Sequence, residues 1–381
     1  MKVLLTTRVV TVLGMIACCV TPLSVARAQQ PWPLWQSYLE RFSDPQGRLI
    51  ERRGGERTTS EAQAYGLFFS LVANDHERFD RILGWTESNL TQGGLSKSLP
   101  AWLWGEGPQA TWGVLDRNSA ADADLWMSYT LLQAARLWKD KRYSVLGSGL
   151  VRLIEAHEVL ELPGFGPMVL PAPHGFHDGE EYLLNPSYVP PQLVRALAAE
   201  FPNSIWSKVE DVLPAFLEQS ASAGFAMDWV AYSHGMFRAA KGPGDIAGGS
   251  YDAVRVYLWA GMLAQGTPGR EVILHAFSGM GSYLRQHNVP PERLSPQGRV
   301  LQPDGTIGFS AAVLPYLAAL SDQQALQKQK ARLAAGLSST TGLYGATPTY
   351  YDQNLALFAT GWSEGRFRFN RDGQLQVSWS K

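Results

Sequence analysis

The sequence predicts a mainly α-helical fold that is built from a series of helix hairpins. Apolar residues recur at three- and four-residue spacing along twelve segments of the chain. Ser, Thr, Asn or Asp residues precede many of these segments, and Gly or Pro residues follow them. Short connections pair neighbouring segments, at residues 74–75, 139–141 and 321. Repeated hairpins of this kind indicate either a closed ring of helices or an open helical solenoid.

The predicted helices are separated by loop-rich stretches rather than by a Pro- or Ser-rich linker, and no sequence motif repeats among them, which disfavours a consensus solenoid. The helices are predicted at residues 32–42, 60–73, 76–91, 122–138, 142–157, 187–200, 204–221, 250–264, 269–286, 309–320, 322–336 and 348–361. The loop-rich stretches are 92–121, 158–186, 222–249 and 287–308. Short runs at 168–170 and 226–230 predict strands, and alternation around Asp372-Gly373 predicts a C-terminal hairpin.

Composition excludes several classes of function. The chain of 381 residues carries 33 Lys and Arg against 34 Asp and Glu, so it lacks the basic excess that nucleic-acid binding requires. No block of like charge is present, which argues against long disorder. Thirteen Trp residues are more than a core of this size usually needs, and they favour a flat ligand such as a sugar ring.

The N-terminus predicts a secretory signal peptide at residues 1–28. A basic beginning precedes an apolar stretch at 9–20, and Ala26-Arg27-Ala28 reads as a cleavage site. The apolar stretch is too short for a membrane span. A lipoprotein site at Cys18 is the alternative, but Met15 fits poorly three residues before such a cysteine.

Cleavage after Ala28 would leave a single domain at residues 29–381. This mature chain has no cysteine, because Cys18 and Cys19 both lie in the predicted leader. An exported chain that needs no disulfide suits the bacterial periplasm. We therefore expect a periplasmic protein without a membrane span after removal of the leader.

Three acidic residues share one position, the first turn of a predicted helix directly after a loop of small residues. They are Glu61, Asp122 and Asp252. Helix capping is the ordinary explanation for an acid at this position. In a ring of hairpins, however, helix starts meet at one rim, where separate carboxyl groups can divide the work of a general acid and a general base.

Local sequence distinguishes two of these acids. Arg255 follows Asp252 by one helical turn, and a carboxylate paired with a cation stays ionised and able to accept a proton. Glu61 has no basic residue in the following turn, and a carboxyl group in an apolar pocket retains its proton. We therefore predict Glu61 as the general acid and Asp252 as the general base.

Four motifs, in order along nearly the whole mature chain, resemble those of glycoside hydrolase family 8. They are the general-acid motif at 59–66, the family signature at 120–138, a cleft motif at 185–188 and the base motif at 250–255. Residues 99–105 and 257–261 narrow the resemblance to the periplasmic endo-β-1,4-glucanases, or cellulases, that are encoded with bacterial cellulose synthases.

The resemblance implies an (α/α)6 barrel of twelve helices that hydrolyses internal bonds of a β-1,4-glucan chain with inversion and without a cofactor. It implies Glu61 as the general acid, Asp252 as the general base, and Asp122 as a carboxylate that positions the substrate or the attacking water. Simple capping remains the alternative for Asp122. The cleft residues that it implies around the base are Tyr188, Tyr251 and Arg255. It also implies a role in cellulose biosynthesis, with synthase subunits as candidate partners of a monomeric enzyme.

Three loop tryptophans are candidates for stacking on sugar rings. Trp102, Trp104 and Trp112 lie between predicted helices, where a core role is harder to explain. The run at 174–181 is rich in His, Asp and Glu, but it lacks the second half of a zinc site and predicts a solvated loop. We therefore expect no metal.

Three other functions are weighed against a glucanase. A hydrolase of xylan or chitosan would differ only in side chains beside the cleavage point, which the sequence does not place. A catalytically silent glucan-binding component of the synthase system is disfavoured by the presence of all three acids. A polysaccharide lyase would need a basic cleft for uronates, and the near-neutral composition argues against it.

Overall fold

The computed structural model describes residue 4 and residues 31–243 and 246–380. Apart from residue 4, the predicted signal peptide and its two cysteines lie outside the described residues. Thirteen α-helices occur in the described ranges, and none of them is both long and apolar enough to cross a membrane. In chain order, α1 to α13 are Pro33–Phe42, Ser60–Val72, His76–Leu90, Ala121–Trp138, Lys141–His157, Pro191–Glu200, Trp206–Ser220, Ala253–Met262, Arg270–Ala276, Ser278–Gln286, Ile307–Ala319, Gln323–Gly336 and Tyr350–Ser363.

Six of the helices form a closed inner ring, and the remaining helices lie outside it. Helices α2, α4, α6, α8, α11 and α13 each contact the next in this order. The rings of Phe68 on α2 and Phe358 on α13 stack at 5.3 Å and close the circle. The outer helices alternate with the inner ones along the chain, and α9 and α10 together occupy one outer position. The predicted (α/α)6 barrel is confirmed.

The hydrophobic core fills the inner ring as one continuous cluster from Trp32 to Val377. At its centre, Trp126 of α4 packs against Trp259 of α8 and Phe358 of α13, at 5.1 and 4.9 Å between ring centroids. Helices α2, α4 and α11 are buried on nearly every side. A helix enclosed in this way can be apolar all round, which explains why its sequence shows little amphipathic pattern.

Polar caps determine where several helices begin. In each case a Thr or Asp side chain accepts a hydrogen bond from a backbone N–H of the first turn, which would otherwise have no partner in the helix. These caps are Thr59, Asp75, Asp140, Asp322 and Thr349. The predicted starts of the corresponding helices agree with the observed starts to within two residues, because Thr and Asp residues at cap positions can be recognised from the sequence.

Two predicted helices differ from the structure. The predicted helix at 269–286 is broken at Phe277, because the backbone N–H of Gly279 donates to the carbonyl of Gly224 at 2.9 Å instead of continuing the helix. The predicted helix at 187–200 begins only at Pro191. Proline is favoured in the first turn of a helix but lacks the N–H that an interior position requires.

The strands are short, and all of their pairings are antiparallel. In chain order, β1 to β13 are Thr58–Thr59, Leu103–Glu106, Trp112–Asp116, Val159–Leu162, Gly166–Val169, His177–Asp178, Glu181–Leu184, Val230–Ser233, Met236–Ala239, Arg293–Leu294, Val300–Gln302, Phe367–Phe369 and Leu375–Val377. The sheets have the orders β1-β2-β3, β4-β5, β6-β7-β8-β9, β10-β11 and β12-β13.

The strand predictions have mixed outcomes. The C-terminal hairpin is confirmed, with Phe367 opposite Val377. The strand predicted at 168–170 coincides with the end of β5. The strand predicted at 226–230 is wrong except for its last residue, since only Val230 enters β8. The residues before it serve other purposes, and Asp228 among them caps α8.

The close approach of α8 to α11 gives a test of this packing. A Cβ atom at Gly261 would lie 2.1 Å from the backbone nitrogen of Tyr316, and backbone is unable to swing aside as a side chain can. We expect Gly261→Ala to lower the free energy of unfolding by about 1–3 kcal/mol through overpacking. Equilibrium urea unfolding would measure the change.

Gly84→Ala is the matched control. Gly84 is exposed in the interior of α3, and a Cβ atom there would meet no atom within 4 Å. This variant should be more stable than the wild type by about 0.5–1 kcal/mol, because alanine is the better helix former. Equal stability of Gly261→Ala and the wild type would contradict the observed contact between α8 and α11.

Candidate active site

The buried guanidinium of Arg255 binds all three acids at the rim where the inner helices begin. Arg255 of α8 has only 3% of its side chain exposed. Its Nη1 donates to Glu61 Oε2 at 2.6 Å and to Asp122 Oδ2 at 2.7 Å, and its Nη2 donates to Asp252 Oδ1 at 2.6 Å. We call these four residues the Arg255 cluster.

Other residues cap the helices on which Glu61 and Asp252 lie. The Thr59 hydroxyl caps α2, and Glu61 makes no cap contact. At the start of α8, the capping acceptor is Oδ1 of Asp228 and not the side chain of Asp252. The donors to Asp228 are the backbone N–H groups of Ser250 and Ala253, at 2.8 and 2.7 Å. Capping therefore fails to explain these two acids, which are left to bind Arg255.

Asp122 contacts both the backbone of its own helix and Arg255. Its Oδ1 accepts from the adjacent backbone N–H of Ala123 at 2.9 Å, while its Oδ2 binds Arg255. Only 4% of the side chain is exposed, against 18% for Glu61 and 28% for Asp252. Asp122 is consequently the most deeply held of the three carboxylates.

A segment of extended backbone links two of the helix starts. Ser60 N–H donates to the carbonyl of Trp102 at 3.0 Å, and Trp102 N–H donates to the carbonyl of Asn118 at 2.8 Å. Ser60 immediately precedes Glu61, and Asn118 lies just before α4. The Trp102 backbone therefore fixes the start of α2 relative to the loop that leads to Asp122, and the Trp102 side chain is half-buried.

Burial gives Glu61 the character of a proton donor. Loss of hydration is the largest cause and raises its pKa to about 7. The positive charge of Arg255 and a hydrogen bond from the Tyr350 hydroxyl oppose this rise, whereas the negative charge of Asp122 increases it. The Tyr350 hydroxyl lies 2.6 Å from Oε1 of Glu61. Near neutral pH, a substantial fraction of Glu61 therefore keeps its proton.

Asp252 lies in a more open and more polar environment. Burial also raises its pKa above the ordinary value, while Arg255 and a hydrogen bond with Asn185 oppose the rise. No basic residue lies in the turn after Glu61, but the inference that a cation distinguishes Asp252 from Glu61 is wrong, because Arg255 contacts both carboxylates at 2.6 Å. The two acids differ instead in exposure and in their second hydrogen-bond partner.

The aromatic residues predicted near the base also lie in this region. The Tyr188 ring centroid is 5.4 Å from Cζ of Arg255, and its side chain is half-buried. Tyr251 is 40% exposed and packs edge to face against Phe309. The hydroxyl of Tyr351 donates to the carbonyl of Tyr251, which helps to hold the segment that carries Asp252.

The remaining predicted tryptophans lie on the β1-β2-β3 sheet and pack mainly against each other. Trp104 and Trp112 have ring centroids 5.3 Å apart, and Cζ of Arg48 lies 4.4 and 4.9 Å from them. Trp85 contacts Trp104 edge to face at 5.3 Å. Trp104 is therefore half-buried among Trp85, Trp112 and Arg48, whereas the Trp112 side chain is 47% exposed.

Comparisons with known proteins agree with this geometry. The sequence profile of Glycosyl hydrolases family 8 matches residues 4–365. The chain belongs to glycosyl hydrolase family 8. An endoglucanase from Xanthomonas axonopodis pv. citri (strain 306) is 42% identical over 350 residues, which are 92% of this chain and 90% of that protein. An endoglucanase from Escherichia coli (strain K12) is 38% identical over 351 residues, which are 92% of each chain.

A solved structure extends the likeness to three dimensions. The endo-1,4-D-glucanase from Vibrio fischeri ES114 matches with a TM-score of 0.86 and 36% identity, over 92% of this chain and 100% of that one. The chain is thus a family 8 glycoside hydrolase along nearly its whole described length. Membership of this family accounts for the architecture of the protein. The chemistry of the site has to be explained from the residues of the Arg255 cluster.

Several residues of this family 8 site escape local sequence reasoning. The Tyr65 hydroxyl lies 3.2 Å from Nη1 of Arg255. Its position four residues after Glu61 places it on the same helix face, so helical spacing could have suggested it. Tyr350, Asn185 and Asp228 come from distant parts of the chain. For them, only the fold brings the polar group to the acids.

The segment at 174–181 is mostly exposed to solvent, but it is only partly a loop, because β6 lies within it and β7 begins at Glu181. His177 lies 2.8 Å from the carbonyl of Gly179, and Arg238 donates to Glu181 at 2.6 Å. Within residues 31–243 and 246–380, no three His, Cys, Asp or Glu side chains are grouped so that they could hold a metal ion.

The Tyr350 contact yields a prediction about pH dependence. The hydroxyl stabilises ionised Glu61, so Tyr350→Phe should raise the pKa of Glu61 and keep it protonated to higher pH. We expect the alkaline limb of kcat/KM to move to higher pH, as measured on a soluble oligosaccharide.

Tyr351→Phe is the control for this experiment. Its hydroxyl donates to the backbone carbonyl of Tyr251 rather than to Glu61. It should leave the alkaline limb in place. A limb that moves equally in both variants, or in neither, would show that the hydrogen bond to Glu61 has no influence on the group that controls the limb.

Proposed function

We propose that this family 8 glycoside hydrolase is an endo-β-1,4-glucanase that cleaves internal glucosidic bonds with inversion of configuration. The observation that carries the proposal is the Arg255 cluster, in which one guanidinium holds Glu61, Asp122 and Asp252 together. The names of the relatives from Xanthomonas and Escherichia support glucan as the substrate. In this proposal Glu61 is the general acid and Asp252 is the general base.

The acid step follows from the surroundings of Glu61. A glycosidic oxygen leaves readily only when it is protonated, and Glu61 has a pKa of about 7 and therefore holds a proton to donate. After transfer, the new carboxylate is stabilised by Nη1 of Arg255 and by the Tyr350 hydroxyl, each at 2.6 Å. The same contacts that lower the pKa of Glu61 in the resting enzyme thus favour the charged product of the step.

The base step assigns Asp252 to the attacking water. An inverting enzyme needs its two carboxyl groups roughly 6.5–9.5 Å apart, so that water fits beside the base. Glu61 and Asp252 bind different terminal nitrogens of Arg255, so the planar guanidinium stands between them. With 28% of its side chain exposed, Asp252 is accessible to water, and the guanidinium favours its ionised form.

Asp122 is assigned to the sugar at the cleavage point. Contacts with Ala123 and Arg255 hold both of its oxygens, so its orientation is fixed before substrate arrives. A fixed carboxylate can accept a hydrogen bond from a sugar hydroxyl and thereby orient the ring. Its negative charge also raises the pKa of Glu61, so Asp122 supports the acid as well as the substrate.

Aromatic rings around the cluster suit a flat glucan chain. The faces of β-1,4-linked glucose rings are apolar and their edges are polar, so Trp and Tyr side chains can stack on them. Trp112 and Tyr251 present exposed rings, and Trp102 is fixed beside the start of α2. We assign these three residues to glucan binding and Trp104 to the support of Trp112.

The biological setting is proposed from the sequence. The leader predicted at 1–28 would export the chain to the periplasm, where the mature domain would act as a monomer. The motifs at 99–105 and 257–261 favour a place beside a cellulose synthase, with trimming or release of nascent glucan as the task. Synthase subunits are then the candidate protein partners.

The reaction itself can be tested by proton NMR. Purified protein mixed with a β-1,4-gluco-oligosaccharide should release new reducing ends that appear first as the α-anomer. This result would establish hydrolysis, acceptance of glucan and inversion in one time course. New ends that appear first as the β-anomer would overturn the assignment of Asp252 as a base, and cleavage of only xylan or chitosan oligomers would overturn the proposed substrate.

Conservative substitutions test the two roles separately. Glu61→Gln and Asp252→Asn each remove a proton-transfer group at nearly constant size, and each should lower kcat by about 10²- to 10⁴-fold. Binding of a cello-oligosaccharide, measured by calorimetry, should persist because the ring platforms are untouched. Wild-type turnover in either variant would remove that residue from its role.

Glu271→Gln is the control for these substitutions. The Glu271 side chain is 82% exposed on α9, and it pairs with the adjacent Arg270 rather than with a residue of the Arg255 cluster. It should leave kcat and binding unchanged. Circular dichroism of all three variants would separate a loss of chemistry from a loss of fold.

A further inference from the structure

A second pair of acids lies buried beneath the Arg255 cluster. Asp124 is in the first turn of α4, two residues after Asp122, and Glu158 directly follows α5. Both have no exposed surface. Their carboxyl groups hydrogen-bond to each other, and the Ser119 hydroxyl donates to Oε1 of Glu158. Proton transfer to a sugar does not require either residue, so their burial calls for another explanation.

Two buried carboxyl groups in contact are unable to ionise together without a large penalty. Burial raises the pKa of Glu158 to about 8, and it raises the pKa of Asp124 well above its ordinary value. The charged group facing them from α4 is Asp122, which adds to both shifts. Ser119 faces them from the preceding loop. At neutral pH the two carboxyl groups therefore do not both ionise, and the pair holds at least one proton.

Backbone hydrogen bonds connect this pair to the start of α4. The N–H of Leu170 donates to the carbonyl of Glu158 at 2.7 Å, and the carbonyl of Pro171 accepts from the N–H of Ala121 at 2.9 Å. Two consecutive residues thus bridge Glu158 and Ala121. Helix α4 begins at Ala121, and the residue before it, Ala120, provides no side-chain cap. The contacts around Glu158 therefore hold the start of α4 in place, although this helix has no side-chain cap of its own.

We propose that Asp124 and Glu158, joined by a shared proton and by the Ser119 hydroxyl, are positioning residues that fix the first turn of α4 and so aim Asp122. This inference rests on the proposed role of Asp122 in glucan hydrolysis. Asp124 lies less than one helical turn from Asp122, so a shift of that turn moves both carboxylates. The pair acts on the reaction only through Asp122 and does not touch the substrate.

The test compares two substitutions of one residue. Asp124→Ala removes the hydrogen bond to Glu158, and we expect kcat on a long cello-oligosaccharide to fall about ten- to hundredfold, with a smaller change in KM, since small misplacements cost that much. Asp124→Asn keeps a donor toward Glu158 and a side chain of the same size, so it should retain most of the wild-type kcat. Both are measured at a temperature at which unfolding curves show the variants fully folded.

Ser119→Ala provides a second variant that keeps both carboxyl groups. It removes the donor to Glu158 and should lower kcat less than Asp124→Ala does, and it serves as the test if Asp124→Ala does not fold. Wild-type kcat in Asp124→Ala, or in Ser119→Ala in its place, would overturn the proposal. Equal losses in Asp124→Ala and Asp124→Asn would also overturn it, because the donor toward Glu158 that Asn keeps would then have no effect on turnover.

The pH dependence of the free energy of unfolding is a further readout, because a role in packing alone would not change it. The unfolded chain ionises both acids near pH 4–4.5, whereas the folded pair keeps its proton to about pH 8. The unfolded state therefore binds fewer protons in this interval, and stability falls as pH rises through it. Glu61 contributes a fall of the same sign, so the decisive quantity is the difference between the wild type and Asp124→Asn, in which the fall should be smaller.

Failure of the proposed function and failure of the shared proton give different experimental results. If the wild type does not cleave glucan, the proposed function is wrong, and the unfolding comparison still decides whether a proton is shared. If the wild type cleaves glucan and the pH dependence of unfolding is the same in Asp124→Asn, the shared proton is refuted while the proposed function stands.

Discussion

The structure of the rim depends on one buried cation. Arg255 is enclosed by the inner helices and meets Glu61, Asp122 and Asp252, each at the start of a different helix. Removing one partner of a buried ion pair typically costs about 3–5 kcal/mol, because the remaining charge is left without compensation. Here a single guanidinium binds three carboxylates, so the packing of α2, α4 and α8 and the chemistry of the site depend on the same side chain.

The imbalance of three carboxylates around one guanidinium also divides their roles. A buried site with excess negative charge lowers its energy by retaining a proton, and Glu61, with a pKa raised to about 7, is placed to retain it. Asp252 is more exposed and can stay ionised at lower cost. The same physics governs Asp124 and Glu158, because burial raises the pKa of both carboxyl groups and disfavours ionisation of the two together.

The helix positions and the acid at the start of α2 could be predicted from the sequence, because both depend on residues that are close together in the chain. Apolar spacing located the helices, and the motif around Glu61 placed an acid in the first turn of α2. Contacts between distant residues were beyond local reasoning. The break at Phe277 depends on the carbonyl of Gly224, and Glu61 meets Tyr350 across 289 positions of the chain. The reasoning from local cations failed for Glu61 because its cation, Arg255, lies on another helix.

Substrate binding and catalysis are joined through the backbone of one tryptophan. Trp102 accepts from the N–H of Ser60, beside Glu61, and donates to the carbonyl of Asn118, ahead of Asp122. A displacement of this segment must therefore move the proposed sugar platform and both carboxylates together. Because rigid placement of reacting groups supplies a large part of catalysis, binding energy gained at the Trp102 ring is transmitted to the geometry of the acid. In the proposed function, glucan binding at Trp102 and the placement of Glu61 and Asp122 therefore depend on one backbone segment.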